Sequence, residues 1–338
     1  MSDGGGIRGL SELLILEEIM YRIKAEEGLE EVPKPCEYFD IIGGTSTGGL
    51  IAILLGRLCM SVEEAISVYN EFAGKVFSER KYCWQDGTFK ASTLEVAVKD
   101  IVARFDESGD DNMMSDMSRR SACKTFVCAM SAQNMAHPRL FRSYEVRSHP
   151  EYNAKIWEVA RATSAAPTFF KRIKVGVDPK EEFVDGGLMC NNPTAEVLRE
   201  AQNTYGMDHP IACIVSIGSG HPRTITLRKP DGFQRLLPTN LIKVLVAIAT
   251  NCEKESENFE RTHGEGNKNR SRGEAKKYFR FNVQQGLQDV SLAEWTKMGE
   301  VKAHTLQYLR GAAVDVEIDR VRDVLRARRT RMLVESLT

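Results

Sequence analysis

Three glycine-framed segments constrain this chain more than any other feature: Gly4-Gly5-Gly6-Ile7-Arg8-Gly9, then Gly44-Thr45-Ser46-Thr47-Gly48, then Asp185-Gly186-Gly187. The middle one is the most restrictive. Before it runs Tyr38-Phe39-Asp40-Ile41-Ile42, whose aromatic and β-branched residues predict a buried strand. After it, Leu50-Ile51-Ala52-Ile53-Leu54-Leu55 predicts a buried helix. Ser46 therefore falls on a sharp strand-to-helix turn, where Gly44 and Gly48 remove Cβ clashes and the hydroxyl projects from the strand tip. The N-terminus of the helix that follows favours developing negative charge. A turn that merely joins a strand to a helix has a similar composition, but the strand–turn–helix setting favours a nucleophile.

The first segment opens a helix with Leu13, Leu16, Met20 and Ile23 on one stripe. Such a loop aims several backbone N–H groups at one point, which suits a phosphate or an oxyanion. Its Gly-x-Gly-x-x-Gly spacing fits a dinucleotide fingerprint only weakly, because that motif follows a strand, and no Gly-Lys-Ser/Thr is present. Arg8 either shapes the loop or meets an anionic head group. In the third segment, Phe183-Val184-Asp185 reads as a strand end entering a tight turn, and Asn191-Asn192-Pro193 supplies a second turn to anchor it. An aspartate with an ordinary pKa of about 3.9 is a poor base for a hydroxyl. Desolvation, together with donors that stabilise the serine anion, makes it useful.

A Ser-His-Asp arrangement requires a suitable histidine, and the chain has six. His137 and His209 precede prolines and His149 lies next to Pro150. His263 falls in a charged, loop-like stretch and His304 in a predicted surface helix. That leaves His221, after the predicted strand 211–217, as the candidate of a rival triad reading.

Together these segments resemble the patatin-like phospholipase family, particularly its eukaryotic calcium-independent group and the domains of fungal multidomain proteins. The resemblance is carried by residues 3–9, 39–49, 185–193 and 215–220 and by Arg161-Ala162-Thr163-Ser164-Ala165-Ala166-Pro167-Thr168-Phe169-Phe170. The tail, with Trp295 and residues 305–308 read on one helix, is similar to the fungal domains. It implies a three-layer α/β/α fold with a mainly parallel central sheet and a helical C-terminal appendix. The implied site is a Ser46–Asp185 dyad without metal or cofactor. Gly4, Gly5 and Gly6 would form the oxyanion hole with Arg8 close by, and Gly9, Gly44, Gly48, Gly186 and Gly187 would support the motifs. The small residues of 160–167 would pack behind the serine turn. The implied reaction is hydrolysis of acyl esters of glycerophospholipids or related lipids, presented at a membrane or micelle surface, through an acyl-serine intermediate. One departure is that members carry an apolar strand before the glycine loop, where this chain has Met1-Ser2. The alternative is a regulatory or self-associating module, possible as a homo-oligomer, with an incomplete or conditionally active site.

The remaining sequence is that of an ordinary globular chain. A net charge of −1 gives no electrostatic case for nucleic acid as a partner. The eight cysteines form no Cys-x-x-Cys pair and read as buried free thiols in a reducing compartment. Without a signal peptide or an 18-residue apolar run, the expected location is cytoplasmic or peripheral at membranes. Strands are predicted at 124–130, 140–144, 182–184, 211–217 and 278–283, and helices at 62–76, 94–105, 156–163 and 241–250. Ser291-Leu292-Ala293-Glu294 is read as a capping box opening a helix toward residue 309. This alternation favours a layered α/β fold, with 1–310 as the hydrolase domain and 311–338 as a charged helix of the same unit. Residues 107–112 read as an acidic loop beside Met113, Met114 and Met117, which either pack under it or line an acyl entrance. Basic residues at 261–280 and 320–331 are read as solvated stretches or as contacts to anionic lipid.

Overall fold

Ile41–Thr45 (β1) lies parallel to Lys124–Ser131 (β2), with Ile41 opposite Lys124 and Thr45 opposite Cys128. Both strands are nearly continuous runs of buried residues, as expected when both faces of a sheet are covered. The computed structural model describes residues 1–79, 88–105, 109–114, 123–146, 152–221, 252–264 and 276–335. The predicted helix at 241–250, Met117, part of the 107–112 loop, and His149, Cys83, Lys268, Arg270 and Arg272 lie outside them.

Two antiparallel strands also pair with β2: Arg139–Arg142 (β3) on the edge away from β1, and Glu181–Asp185 (β5) on the same edge as β1, just beyond its end. Ile173–Val175 (β4) pairs antiparallel beyond β5. On the far side of β1, Ile214–Ile217 (β6) runs parallel to Tyr278–Phe281 (β7). Residues Met1 to Asp3 join these two halves. The Ser2 N–H donates to the Gly43 carbonyl at 3.1 Å and the Thr45 N–H to the Ser2 carbonyl at 3.3 Å. Facing the other way, the Ile217 N–H donates to Met1 O at 3.0 Å and the Asp3 N–H to Ile217 O at 3.2 Å. This short segment thus pairs as a strand between β1 and β6, parallel to both, and it ends directly in the glycine loop. The pairs from β7 to β2 are parallel, and those that β3, β4 and β5 make are antiparallel.

Strand periodicity assigns the layers. In β6 and β7, Val215, Ile217, Phe279 and Phe281 point into the main core. Ile214 and Tyr278 point to the opposite face, into a small cluster with Phe259 and Leu198. Phe259 comes from Glu253–His263 (α7) and Leu198 from Thr194–Tyr205 (α6). The main face carries Gly9–Glu27 (α1), Thr47–Ala52 (α2), Val62–Ser78 (α3), Ala91–Val102 (α4) and Ile156–Thr163 (α5). Val62–Ser78 begins at a complete capping box, in which Ser61 Oγ accepts the Glu64 N–H and Glu64 reaches back to the Ser61 N–H.

Several elements depart from sequence expectation. α1 is not apolar on one stripe alone; Leu10, Leu14, Ile15 and Ile19 are buried as well. The reason is tertiary: α1 is enclosed by α3 and by Met298–Leu309 (α8) and Ala312–Glu335 (α9). Ile318, Val321 and Leu325 bury one side of α9, while Arg22 of α1 pairs with Asp315 at 2.7 Å and Asp319 at 3.0 Å. The capping box at Ser291 is half formed: Glu294 accepts the Ser291 N–H at 2.8 Å. The chain nevertheless turns through a short 3₁₀ segment, Trp295–Lys297, before α8 starts, because the Leu292 carbonyl is engaged by the Ile7 N–H of the glycine loop at 2.9 Å. Trp295 therefore precedes the helix that carries Tyr308. His263 ends a helix, α7, and does not sit in a loop. α6, α7 and β4 have weak local signals and were not anticipated. No helix among the described residues is long and apolar enough to cross a membrane.

Candidate active site

Ser46 joins β1 to α2 with φ +53° and ψ −122°, a conformation that a residue with a Cβ adopts only under constraint from its surroundings. The constraint is visible on both sides. A Cβ on Gly44 would land on the Gly48 carbonyl, and one on Gly48 would strike the carbonyls of Ser2 and Asp3. Glycine at both places lets the turn close this tightly. The Ser46 N–H donates to Thr163 Oγ1 at 2.7 Å, and that hydroxyl donates to the Cys128 carbonyl of β2 at 2.6 Å. Thr163 thus ties the turn to the sheet from the end of α5, among the small residues of 160–167. Replacing it with the isosteric valine leaves the Ser46 N–H and the Cys128 carbonyl without this partner. Thr163→Val is expected to cost about 2 kcal/mol of stability, read as a lowered urea midpoint at unchanged slope; no loss would mean that the turn holds itself.

The third segment meets Ser46 from the end of β5. Ser46 Oγ donates to Asp185 Oδ2 at 2.7 Å, while Asp185 Oδ1 accepts the Gly187 N–H at 2.7 Å. The carboxyl is buried. Burial pushes its pKa up to about 6, against the opposing hydrogen bonds from Gly187 and Ser46. Gly186 sits flush against the Cys128 carbonyl, where a Cβ would collide. His221 stands apart from the pair, 3.7 Å from Glu253, so Asp185 meets the serine directly with no imidazole between them.

The glycine loop closes the other side. Gly6 adopts φ +56°, and a Cβ there would run into the Leu292 carbonyl. Four contacts hold the loop. The Gly4 N–H donates to the Asn191 carbonyl at 3.1 Å, and Asn191 Nδ2 returns a bond to Gly4 O at 3.3 Å. Ser219 Oγ donates to the same Gly4 carbonyl at 3.0 Å. Tyr69 of α3 donates to Gly6 O at 2.5 Å. The turn at Asn191 therefore anchors the Asp185 loop and the glycine loop to each other. Of the three amides proposed as oxyanion donors, that of Gly4 is engaged, whereas those of Gly5 and Gly6 have no acceptor among the described residues. Arg8 lines the same cavity and its Nε reaches Gly5 O at 3.4 Å, which matches the loop-shaping reading.

Beneath the loop lies a buried ion pair that the sequence did not announce. Asp3 bonds Arg280 Nη2 at 2.7 Å, and Arg280 Nη1 donates to Ser216 Oγ at 2.9 Å. Arg280 had been grouped with the basic stretch at 261–280, yet it points inward from β7. Lys276 of the same stretch pairs with Glu317 of α9 at 2.7 Å. Alternation puts Arg280 on the face of Tyr278, opposite Phe279 and Phe281, where it reaches Ser216 and Asp3. In the second basic segment, Arg322 pairs with Asp319 at 2.8 Å and Arg326 with Glu26 at 3.2 Å. Met113 is buried, consistent with packing under its loop.

Ser46, Asp185 and the glycine loop border one cavity of about 680 Å³. One wall is apolar, with Leu50, Phe72, Phe77, Leu94, Phe169 and Phe170; the other end is polar, with Arg8, Glu253, Arg280 and Asn282. Phe77, Phe89 and Phe170 pack with ring centroids 5.2 to 6.2 Å apart. Among the described residues, no group of three His, Cys, Asp or Glu side chains is placed to share a metal ion. A hydroxyl bonded to a buried carboxylate, beside unpaired amides and an apolar wall, is an arrangement suited to acyl transfer.

Residues 1–198 match the family model described as patatin-like phospholipase, more than half of the chain. The chain belongs to the patatin-like phospholipase family. Calcium-independent phospholipase A2-gamma of Mus musculus is 30% identical over 234 residues, covering 64% of this chain and 28% of that protein. Patatin-like protein 2 of Arabidopsis thaliana is 31% identical over 218 residues, 60% of this chain and 51% of its own length. The cGAMP-activated phospholipase of Vibrio cholerae is 28% identical over 228 residues, 64% and 60% respectively. This patatin-like chain thus spans between 28% and 60% of the length of these relatives.

Proposed function

We propose that this chain is a lipid acyl hydrolase of the phospholipase A type, acting on carboxylic esters of glycerophospholipids or related lipids at a membrane or micelle surface. The observation that carries the reading is the 2.7 Å bond from Ser46 Oγ to the buried Asp185 carboxylate, in a cavity with one apolar wall. Names of relatives point the same way, since phospholipases of mouse and Vibrio cholerae share the matched region. The acyl chain lies along Leu50, Phe72 and the Phe77–Phe170 cluster, which brings the ester carbonyl to Ser46. Asp185 takes the hydroxyl proton as Oγ attacks, and the Gly5 and Gly6 amides hold the oxyanion. The alkoxide of the lysolipid leaves with the proton from Asp185. Water attacks the acyl-serine, again giving its proton to Asp185, and the fatty acid departs. Residues Met1 to Asp3 pair as a strand between β1 and β6 and lead into the glycine loop, which supports this reading over that of a binding module with an incomplete site.

A base must be ionised to accept a proton. With Asp185 raised to about 6, kcat/KM is expected to climb about tenfold per pH unit below that value and to level off above it. A profile flat from pH 4.5 to 8 would remove Asp185 from the role. The test of the whole reading is fluorophosphonate labelling of wild type and Ser46→Ala, with fatty-acid release from mixed phospholipid vesicles followed in EDTA. Labelling and release that are lost with Ser46 and persist in EDTA are expected. A folded wild type that neither labels nor releases fatty acid overturns the proposal.

A further inference from the structure

The turn 163–165 touches both members of the Ser46–Asp185 pair. On one side of Ser164, Thr163 Oγ1 accepts the Ser46 N–H at 2.7 Å; on the other, the Ala165 carbonyl accepts the Asp185 N–H at 3.1 Å. Ser164 between them lines the catalytic cavity. Its backbone is fully engaged, with its N–H on Ala160 O at 3.2 Å and its carbonyl taking the Ala166 N–H at 2.8 Å. Its hydroxyl is different. The residue is 7% exposed, and Oγ is buried with no hydrogen-bond partner among the described residues. A buried hydroxyl left unpaired is unfavourable, and native proteins retain such groups rarely and for a reason.

We propose that the Ser164 hydroxyl binds and orients the water that hydrolyses the acyl-Ser46 intermediate, a role that rests on the hydrolase reading above. Once Ser46 is acylated it no longer has a proton to give, and Asp185 Oδ2 loses its donor while Oδ1 keeps the Gly187 N–H. Turned toward the cavity about its Cα–Cβ bond, the Ser164 hydroxyl holds a water that donates one hydrogen to Asp185 Oδ2, and two partners are enough to set its direction. Its oxygen forms a bond to the acyl carbon as its proton passes to Asp185. The tetrahedral intermediate then expels Ser46 Oγ, which recovers that proton, and the fatty acid is released. In the resting enzyme and during acylation Asp185 already has its donor in Ser46, so Ser164 acts in the second half of the cycle alone.

The experiment separates the two halves. Wild type, Ser164→Ala and Ser164→Thr are acylated with p-nitrophenyl butyrate, the burst of nitrophenolate is timed, and excess ester is removed. Decay of acyl-Ser46 is then followed by rapid quench and intact-mass spectrometry. For Ser164→Ala the burst rate and the fluorophosphonate labelling rate are expected to match wild type, while acyl-Ser46 decays about tenfold more slowly, the rate equivalent of one neutral hydrogen bond. Ser164→Thr, which keeps a hydroxyl, is expected to recover most of the decay rate. Decay unchanged in Ser164→Ala overturns the proposal, as does a burst that slows in step with the decay, the mark of a general disturbance of the site. A wild type in which Ser46 is not labelled overturns the hydrolase reading itself, and the role of Ser164 with it.

Discussion

Asp185→Asn is expected to lower kcat by about 10³- to 10⁴-fold while the fold is kept, and Ser46→Ala by about 10⁴-fold or more. The amide of asparagine has nearly the shape of the carboxylate and still accepts the Gly187 N–H, so the turn survives. Its nitrogen meets Ser46 Oγ as a donor, however, and a donor does not take the hydroxyl proton. Because the two groups act as one unit, the double variant should be no slower than Ser46→Ala alone; additive losses in log kcat would mean that they work separately. The same substitution has a stability signature of known sign. The Asp185 pKa lies near 6 in the folded chain against an ordinary 3.8, so the native state holds this proton more tightly than the unfolded chain does. The group's contribution is therefore fully present below about pH 4 and is lost as pH rises through about 6, a change of about 3 kcal/mol. Asparagine does not titrate. Measured by urea unfolding, Asp185→Asn should gain on wild type as pH rises from 4 to 7, the reverse of its effect on turnover.

Arg280→Met is expected to carry the largest cost in stability, about 3–5 kcal/mol. Arg280 is the cation paired with the buried Asp3 carboxylate at 2.7 Å, and the polar atoms of Ser216 and Glu253 also lean on it. Burial raises the Asp3 pKa, and the arginine opposes that shift. Without the guanidinium, Asp3 must either stay charged in a dry site or take up a proton on folding. The loss should consequently be smaller at pH 5 than at pH 8. Asp3→Asn in the Arg280→Met background removes the stranded charge and should recover part of the stability. A loss below about 1 kcal/mol would show that the pair is a spectator. Activity per folded molecule should fall as well, because Asp3 leads directly into Gly4, Gly5 and Gly6.

Local chemistry explains why so much of the site was legible in the sequence. The turn at Ser46 is steeply over-determined: a nucleophile on so tight a corner needs glycine at 44 and 48, and the strand and helix beside it are written in apolar runs. The same holds for α5, whose bounds match the predicted 156–163, and for β2, whose buried pattern runs from Thr125 to Ser131 without interruption. Elements whose stability comes from distant partners were harder to see. α6 and α7 have strongly polar sequences and bury few residues each, Phe259 of α7 and Glu200 of α6 among them, and β4 is three residues long. Glu294 answers Ser291 as a capping box should, yet the helix starts later because the Leu292 carbonyl is claimed by the Ile7 N–H from the other end of the chain.

By itself the sequence marked Ser46, Asp185 and the glycine loop as the candidate site, because each depends on residue types that few other local conformations demand. Tertiary structure decided how they work together. It placed Asp185 Oδ2 within 2.7 Å of a serine 139 residues away. It engaged the Gly4 amide with Asn191 and left the Gly5 and Gly6 amides without an acceptor among the described residues. It turned Arg280 inward onto Asp3 and left the Ser164 hydroxyl buried without a partner among the described residues. Burial, alternation across a sheet and competition for hydrogen-bond partners belong to the assembled chain, and no window of neighbouring residues carries them.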